Sequence, residues 1–162
     1  MVTTARTGVT TYATPSDREI VITRVVDAPR RLVFDAFTNP ARVPKWLTGP
    51  EGITMPVCEI DLRPGGRWRY VYRMADGAEM TLQGTFREVL PPERVVHTET
   101  WGPEWPETVN TLVLTETGGQ TAISITVLYP SAEARAAALQ SGMKDGMDQG
   151  FARLDELLSG LA

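Results

Sequence analysis

The sequence is poor in the residues that most often carry metal and nucleophile chemistry. Its 162 residues include one cysteine, Cys58, and one histidine, His97. A single cysteine excludes a disulfide within the chain. One cysteine and one histidine are also too few to make a protein zinc site a favoured interpretation. We therefore expect no metal and no cofactor, and we interpret Cys58, in a strand-like stretch, as a buried and unreactive thiol.

Long apolar runs and an excess of positive charge are also missing. No segment approaches the roughly 18 apolar residues that a membrane-spanning helix needs, and the N-terminal stretch has no apolar core of a secretory signal. The formal net charge is -4, so neither nucleic acid nor insertion into a membrane is expected. We predict a cytoplasmic protein with one domain over residues 17–160, preceded by a flexible or extended lead-in over residues 1–16.

The sequence does carry a clear pattern of strands and turns. A stretch dense in β-branched residues, EIVITRVV, predicts a first strand over residues 19–26, and turn signals such as Pro64-Gly65-Gly66 and Asp76-Gly77 separate the later ones. Six further strands are predicted near residues 53–62, 67–74, 79–89, 94–101, 108–115 and 121–129. Because most connections are short, we expect an antiparallel sheet of about seven strands.

The strand near residues 67–74 shows the strongest alternation. One of its faces carries only aromatic and apolar side chains, and arginines occupy the other face. The first face contains Trp68, Tyr70, Tyr72 and Met74, and the second contains Arg67, Arg69 and Arg73. The sheet is therefore expected to have an aromatic inner face and a charged outer face.

Apolar residues recur at helical spacing after the first strand and again near the C-terminus. Asp27 is the expected N-cap of a short helix over residues 30–37, and a second short helix is predicted over residues 41–47. Ser131 is the expected cap of the C-terminal helical region, whose long part is predicted over residues 141–158. The apolar residues of this helix must be buried against another surface, and the aromatic face of the sheet is the large surface expected to cover them.

Glycines recur every four residues in this predicted helix, at Gly142, Gly146 and Gly150. Each costs about 1 kcal/mol relative to alanine in a helix interior. Close contact between the helix and the sheet is one explanation. The other is that the glycines leave room for a ligand beside Met143, Met147 and Phe151.

The ordered motifs identify a family resemblance. The chain closely resembles bacterial relatives of the activator of heat-shock protein 90 ATPase, in the START-like (SRPBCC) superfamily, from about residue 16 to residue 158. The resemblance is carried by the Ala28-Pro29 helix, Thr38-Asn39-Pro40, Trp46, the run Asp61 to Gly66, Gly84 and the run Pro91 to Arg94. It implies an α+β helix-grip fold of the Bet v-like kind, with a hydrophobic cavity between the curved sheet and the long C-terminal helix. Family members often carry Gly-Trp in that helix, whereas this chain has Gly150-Phe151.

The candidate ligand-binding residues are mainly aromatic. Each of them also fits an ordinary core position. They are Trp46, Trp68, Tyr70, Tyr72, His97, Trp101, Met143, Met147 and Phe151.

His97 and Glu99 are the polar candidates for catalysis, because they share a strand face with Trp101 and can form an acid-base pair. A satisfied structural contact or a solvated face is the alternative. No serine or cysteine is identifiably placed as a nucleophile beside this base.

Two other motifs fit ordinary structure better than chemistry. Pro64-Gly65-Gly66 with Arg67 can hold an anion, but the segment leads into a strand and not a helix, so a tight hairpin is the better interpretation. Glu59 and Asp61 share a strand face, and solvent exposure or turn bonding accounts for them without a catalytic dyad.

Three functions remain open from the sequence. The leading one is a small soluble carrier, sensor or sequestering protein that encloses an apolar or aromatic small molecule. The second is a cyclase- or hydrolase-like enzyme that uses the same cavity, and the third is a cofactor of a chaperone ATPase. The single domain and the absence of a recognisable chaperone-docking module disfavour the third. A homodimer is left open.

Overall fold

Strands dominate the computed structural model, which describes residues 7–161. Within that range eight strands form one antiparallel sheet, in the order β1-β2-β8-β7-β6-β5-β4-β3. Their bounds are β1 Thr10–Ala13, β2 Glu19–Val26, β3 Thr54–Ile60, β4 Arg67–Arg73, β5 Glu79–Leu90, β6 Arg94–Glu99, β7 Thr108–Thr117 and β8 Gln120–Leu128. The α+β class and the antiparallel sheet predicted from the sequence are confirmed.

The additional strand, β1, lies in the segment interpreted as a lead-in. It pairs with β2 so that Tyr12 lies opposite Ile22. The Tyr12 hydroxyl donates to Asp148 Oδ1 at 2.8 Å and thereby ties the sheet edge to the C-terminal helix. Residues 1–6, the other part of that segment, lie outside the described residues.

Three α-helices and one short 3₁₀ turn accompany the sheet within residues 7–161. They are α1 Arg30–Thr38, the 3₁₀ turn Val43–Lys45, α2 Ala132–Gln140 and α3 Met143–Leu161. The chain crosses from β2 to the far edge of the sheet through α1 and the 3₁₀ turn. The second predicted helix, over residues 41–47, is therefore only this one turn.

The helix ends correct one predicted detail and confirm another. Pro29, and not Asp27, is the N-cap of α1, and no side chain caps that helix. Proline suits this position because the first helical residues need no intrahelical donor. Ser131 does cap α2, since its Oγ accepts a hydrogen bond from Ala134 N at 3.1 Å.

The C-terminal helical region is interrupted at Gly142. Its φ of 81° is in the left-handed region that favours glycine, and it separates α2 from α3. The prediction that Gly142 lies within a helix is therefore wrong. The apolar stripe of α3 is present, however, with Phe151, Leu154 and Leu158 buried.

The core lies between α3 and the inner face of the sheet. Alternate residues of β2 are buried, as the period of two requires. Burying each large aliphatic side chain contributes about 1.5–3 kcal/mol, so this interface dominates stability. Fully buried members include Ile20, Val26, Leu114, Ile123, Phe151, Leu154 and Leu158.

Arg24 is the exception on the inner face of β2. It is 5% exposed and forms an ion pair with Asp155 of α3. Its Nη1 donates to Thr10 Oγ1 at 2.6 Å, and its guanidinium lies 5.4 Å from the centre of the Phe151 ring. This arginine therefore joins β1, β2 and α3.

No helix within residues 7–161 is both long enough and apolar enough to span a bilayer.

Candidate functional site

The aromatic side chains of β4 lie on the inner face of the sheet, as predicted. Trp68, Tyr70 and Tyr72 are buried, and the arginines that alternate with them are exposed. The rings of Trp68 and Tyr70 are 4.7 Å apart. The Trp68 indole donates to the carbonyl oxygen of Thr98 at 3.1 Å, which fixes the ring against β6.

A glycine in β5 makes this arrangement possible. Gly84 pairs with Trp68, and a Cβ added there would lie 1.8 Å from the Thr98 carbonyl oxygen and 2.9 Å from the Trp68 indole nitrogen. Only glycine allows such an approach of the two strands. The neighbouring Thr85 N–H donates to Thr98 Oγ1 at 3.0 Å, so β6 is held at this point, immediately between His97 and Glu99.

His97 packs among aromatic rings. Its ring lies edge-on to Trp68 at 5.2 Å and to Phe86 at 6.2 Å. Burial lowers the pKa of His97 to about 4, because the charged imidazolium loses its hydration. His97 is therefore neutral at pH 7.

Glu99 has the opposite electrostatic shift on the same strand. Burial raises the pKa of Glu99 to about 7, and the side chain of Asn110 partly offsets this effect. The Asn110 amide also donates to Thr108 Oγ1 at 2.9 Å, and Thr108 pairs with Glu99 across β6 and β7. Glu99 is thus poised between its protonated and ionised forms near neutral pH.

His97 and Glu99 share the predicted face, yet within residues 7–161 no hydrogen bond joins them. An acid-base pair needs the carboxylate to orient the imidazole. The two groups are therefore neighbours with separate partners: aromatic rings beside His97, and polar side chains of β7 beside Glu99.

Three tyrosines lie close enough to Glu99 for its charge to act on them. Burial raises the pKa values of Tyr70 and Tyr72, and the negative charge of Glu99 raises them further. The same two causes raise the pKa of Tyr129 to about 12. All three hydroxyls remain protonated at neutral pH and can act as hydrogen-bond donors.

Asn110, Thr108 and Tyr129 were missed by the sequence reasoning. A signal was present, because Asn110 has the same strand phase as the buried Leu112 and Leu114. A polar residue at an inward position needs a partner. Glu99, one partner of Asn110, lies on β6, so the alternation within β7 alone did not identify it.

Trp46 and Phe151 form a second aromatic group. Their rings stack at 6.0 Å, and Phe37 packs edge-on to Trp46 at 4.7 Å. The Trp46 indole donates to Ala36 O at 2.8 Å. Both residues are fully buried and help to build the core between α1 and α3, so their part in ligand binding stays a prediction.

The segment of residues 46–51, which we call the strap, lies between α3 and β4. Arg153 of α3 donates to three oxygen atoms of the strap, and Gln149 accepts from the Glu51 N–H at 3.0 Å. From the other side, the Tyr72 hydroxyl donates to Leu47 O at 3.1 Å. The Arg153 acceptors are Trp46 O at 3.2 Å, Thr48 Oγ1 at 3.0 Å and Gly49 O at 2.6 Å.

The helix glycines allow this strap to approach. A Cβ at Gly150 would lie 3.3 Å from Trp46 O, and one at Gly146 would lie 3.4 Å from Pro50 Cδ. The close-contact explanation of the glycine spacing therefore applies at these two positions. The neighbour that needs the glycines is the strap, so the expected contact with the sheet is wrong at Gly146 and Gly150.

One half of the inner face keeps accessible surface. Partly exposed inward residues occur on β3 and β6 and on the N-terminal half of α3, whereas Leu154 and Leu158 in the C-terminal half of α3 are buried. We call the first region the open half. Its partly exposed members include Cys58, Ile60, His97, Glu99, Met143 and Met147.

Trp101 lies at the end of the sheet next to the open half. It is 39% exposed, and its ring stacks on that of Tyr72 at 6.1 Å. The following loop exposes Trp105 as well. The structure therefore brings Trp68, Tyr70, Tyr72, His97 and Trp101 together, and their part in ligand binding stays a prediction.

Two surface clefts lie elsewhere, and neither is lined by a predicted ligand-binding residue. One is bordered by Thr7, Val26, Asp27, Asp155, Leu158 and Ser159. The other is bordered by Gln83, Thr100, Gly102, Pro103, Trp105 and Glu107.

The remaining sequence candidates have ordinary structural roles. Asp61 accepts from Arg63 Nε at 2.9 Å, and Glu59 pairs with Arg69 at 2.8 Å, both at the surface. Gly65 N–H donates to Phe86 O at 2.8 Å, so the Pro-Gly-Gly segment is a turn packed on β5. Burial raises the pKa of Cys58 to about 11, which keeps its thiol protonated.

Across residues 7–161, no three histidine, cysteine, aspartate or glutamate side chains come together in a way that could hold a metal ion.

Comparison with known proteins gives one family match and many structural matches. The family model described as Activator of Hsp90 ATPase homolog 1-like protein matches residues 27–159. No curated protein matches the sequence.

The solved structures extend the similarity to nearly the whole chain. A crystal structure of a Rhodobacter sphaeroides protein is 29% identical, with a TM-score of 0.88, and the alignment covers 94% of this chain and 99% of that one. A Mycobacterium smegmatis protein is 25% identical, with a TM-score of 0.81 and coverage of 92% and 96%. An AHSA1-like protein from Aeromonas hydrophila, at 21% identity, a TM-score of 0.70 and coverage of 88% and 95%, supports the fold alone.

Proposed function

The chain belongs to the family of Activator of Hsp90 ATPase homolog 1-like proteins, and from that premise we propose that it binds an apolar or aromatic small molecule between the sheet and α3. The role is that of a carrier, a sensor or a sequestering protein. A family and a fold do not by themselves assign a ligand. The proposal therefore rests on the site.

The open half of the inner face is the observation that carries the proposal. In a finished core, inward side chains of central strands are fully covered, as Leu112 and Ile123 are here. His97 and Glu99 lie on the same sheet and remain partly exposed. Apolar walls with a few polar groups are the usual composition of a small-molecule site.

The N-terminal half of α3 is well suited to close over such a ligand. Met143 and Met147 are partly buried there, and unbranched thioether side chains adapt to different apolar shapes. α2, which precedes this half of the helix, has no fully buried residue. We expect a ligand to enter at this end of the sheet, next to Trp101.

Native mass spectrometry of freshly purified protein, with organic extraction, tests the proposal directly. We expect a discrete apolar compound that leaves on extraction. The extracted protein should then bind 1-anilinonaphthalene-8-sulfonate with saturable fluorescence. Absence of both a co-purified compound and saturable probe binding would contradict the proposal.

A cavity-filling variant gives the matched comparison. Met147→Trp should weaken probe binding at least tenfold because the larger ring occupies the open half. Ala152→Trp, on an exposed position of the same helix, should leave binding unchanged. Equal binding by both variants would place the probe elsewhere on the molecule.

A cyclase- or hydrolase-like enzyme is the second candidate, and the raised pKa of Glu99, about 7, favours it. A carboxyl with this pKa can exchange a proton at neutral pH. Hydrolysis of p-nitrophenyl esters and cyclisation of short polyketone substrates should then depend on the inner face. If the double variant His97→Asn with Glu99→Gln retains full turnover, the enzyme hypothesis is wrong.

A further inference from the structure

The open half contains a carboxyl group that has no cationic partner. Seven ion pairs form among residues 7–161, and none of them includes Glu99. The other inward charge, Arg24, is already paired with Asp155. A carboxyl group held in apolar surroundings is stabilised strongly by an opposite charge that reaches it.

The groups around this carboxyl are aromatic rings and neutral hydrogen-bonding groups. Tyr70 and Tyr72 of β4 and Tyr129 beyond β8 lie close enough for the Glu99 charge to act on them. Trp101 stacks on Tyr72 at the edge of the same region. Aromatic faces attract cations through their quadrupole, and the attraction is stronger where water is excluded.

We propose that Glu99 orients the ligand, and that the molecule bound in the open half carries a protonated amine on an aromatic or apolar body. This inference rests on the proposed ligand-binding function and specifies its ligand class. The amine pairs with the Glu99 carboxylate, and the body lies among the rings of Trp68, Tyr70 and Tyr72. A carboxylate-bearing ligand of the same shape is disfavoured by repulsion.

Binding of the amine is linked to pH through Glu99. Because burial raises the pKa of Glu99 to about 7, its carboxyl becomes ionised as the pH rises from 5 to 8. Amine affinity should rise over the same interval and level off until the amine itself loses its proton, near pH 10.

The histidine, cysteine and tyrosine side chains around Glu99 do not titrate in that interval. His97 on β6 is neutral, since its pKa is lowered to about 4, and Cys58 on β3 has a pKa raised to about 11. The tyrosine pKa values are raised as well, to about 12 for Tyr129. On α3, Lys144 packs over the Tyr12 ring, and Arg153 is bound to the strap.

Three indole probes of matched shape test the inference: tryptamine, which is cationic, tryptophol, which is neutral, and indole-3-acetate, which is anionic. Calorimetric titration of the full-length protein at pH 8 should give tryptamine a Kd at least tenfold below that of tryptophol, with indole-3-acetate weakest. In the Glu99→Gln variant the three Kd values should converge. Glu59→Gln, at a surface ion pair on β3, should retain the wild-type order.

The outcomes separate this inference from the function on which it rests. Equal binding of all three probes, or preference for indole-3-acetate, overturns the role of Glu99 and leaves ligand binding intact. Failure of every probe to bind, together with no co-purified compound, overturns the proposed function. If Glu99→Gln does not fold, the wild-type pH series decides: a tryptamine Kd that is constant from pH 5 to pH 8 overturns the inference.

Discussion

At Gly150 the backbone of α3 lies close to the strap. A helix interior normally gains about 1 kcal/mol when glycine is replaced by alanine. At this position the new Cβ would lie 3.3 Å from Trp46 O, a backbone atom that also accepts from Arg153. The contact of an added Cβ with the strap therefore opposes the stabilisation that alanine normally gives to a helix.

We predict that Gly150→Ala gives no gain in the free energy of unfolding, or lowers it by up to about 1 kcal/mol. Gly160→Ala is the matched control, because it lies in the same helix with no atom within 4 Å of an added Cβ. It should be stabilising, by less than about 1 kcal/mol since it lies near the helix end. Urea unfolding measures both, and equal stabilisation would contradict the contact.

At the scale of elements, the strap is held by side chains from both of its neighbours. α3 supplies Arg153 and Gln149, and β4 supplies the Tyr72 hydroxyl. The strap residues lie outside every helix and strand, between the 3₁₀ turn that ends at Lys45 and β3, which begins at Thr54. Its order therefore depends on tertiary hydrogen bonds more than on local backbone structure.

We predict that Arg153→Met increases amide hydrogen exchange over residues 47–51 and lowers the free energy of unfolding by about 2 kcal/mol, since hydrogen bonds from a charged donor are lost. Arg87→Met, at an exposed position of β5, should change neither. Hydrogen exchange is measured by mass spectrometry. If residues 47–51 exchange at the wild-type rate in Arg153→Met, the strap contacts of Arg153 are refuted.

At the scale of the whole molecule, two buried titratable groups give stability a pH dependence. The folded-state pKa of Glu99 is raised, from 4.5 to about 7, so its contribution is present at low pH and is lost as the pH rises through 7. The folded-state pKa of His97 is lowered, from 6.5 to about 4, so its contribution is present above pH 6.5 and is lost towards pH 4. Together they favour maximal stability near pH 5 to 6.

We predict that Glu99→Gln removes the decline on the alkaline side and keeps the decline on the acidic side. The free energy of unfolding of the wild-type protein should fall from pH 5 to pH 8 by on the order of 3 kcal/mol more than that of the variant. Glu59→Gln should follow the wild-type curve. An unchanged pH dependence in Glu99→Gln would show that its carboxyl is not buried as described.

Much of the fold follows from the sequence. Alternation in β4 separated Trp68, Tyr70 and Tyr72 from Arg67, Arg69 and Arg73, because successive strand residues must face opposite sides. Turn residues located the six strands that follow residue 50, although the predicted strand ends differ from the observed ones by a few residues. The aromatic part of the candidate site, including His97 and Trp101, was predicted for the same reason.

The short edge strand β1 and the break before α3 were not predicted. A strand of four residues has little local signal and forms because β2 offers its free edge. Gly142 fits a helical pattern by spacing, and only its left-handed φ reveals that it separates two helices. Secondary-structure propensity and residue periodicity are averaged over several neighbouring residues. Strand β1 instead depends on its pairing with β2, and the helix break depends on the backbone angle of Gly142.

The sequence by itself determined the α+β class, the aromatic inner face and the family, because strand phase, helical spacing and ordered motifs are properties of neighbouring residues. Only the tertiary structure decided which groups meet: Asn110 and Tyr129 around Glu99, Asp155 at Arg24, and the strap against Gly150. Those contacts join residues far apart in the chain. Their distances and burial, which set the electrostatics of the site, exist only once α3 closes over the sheet.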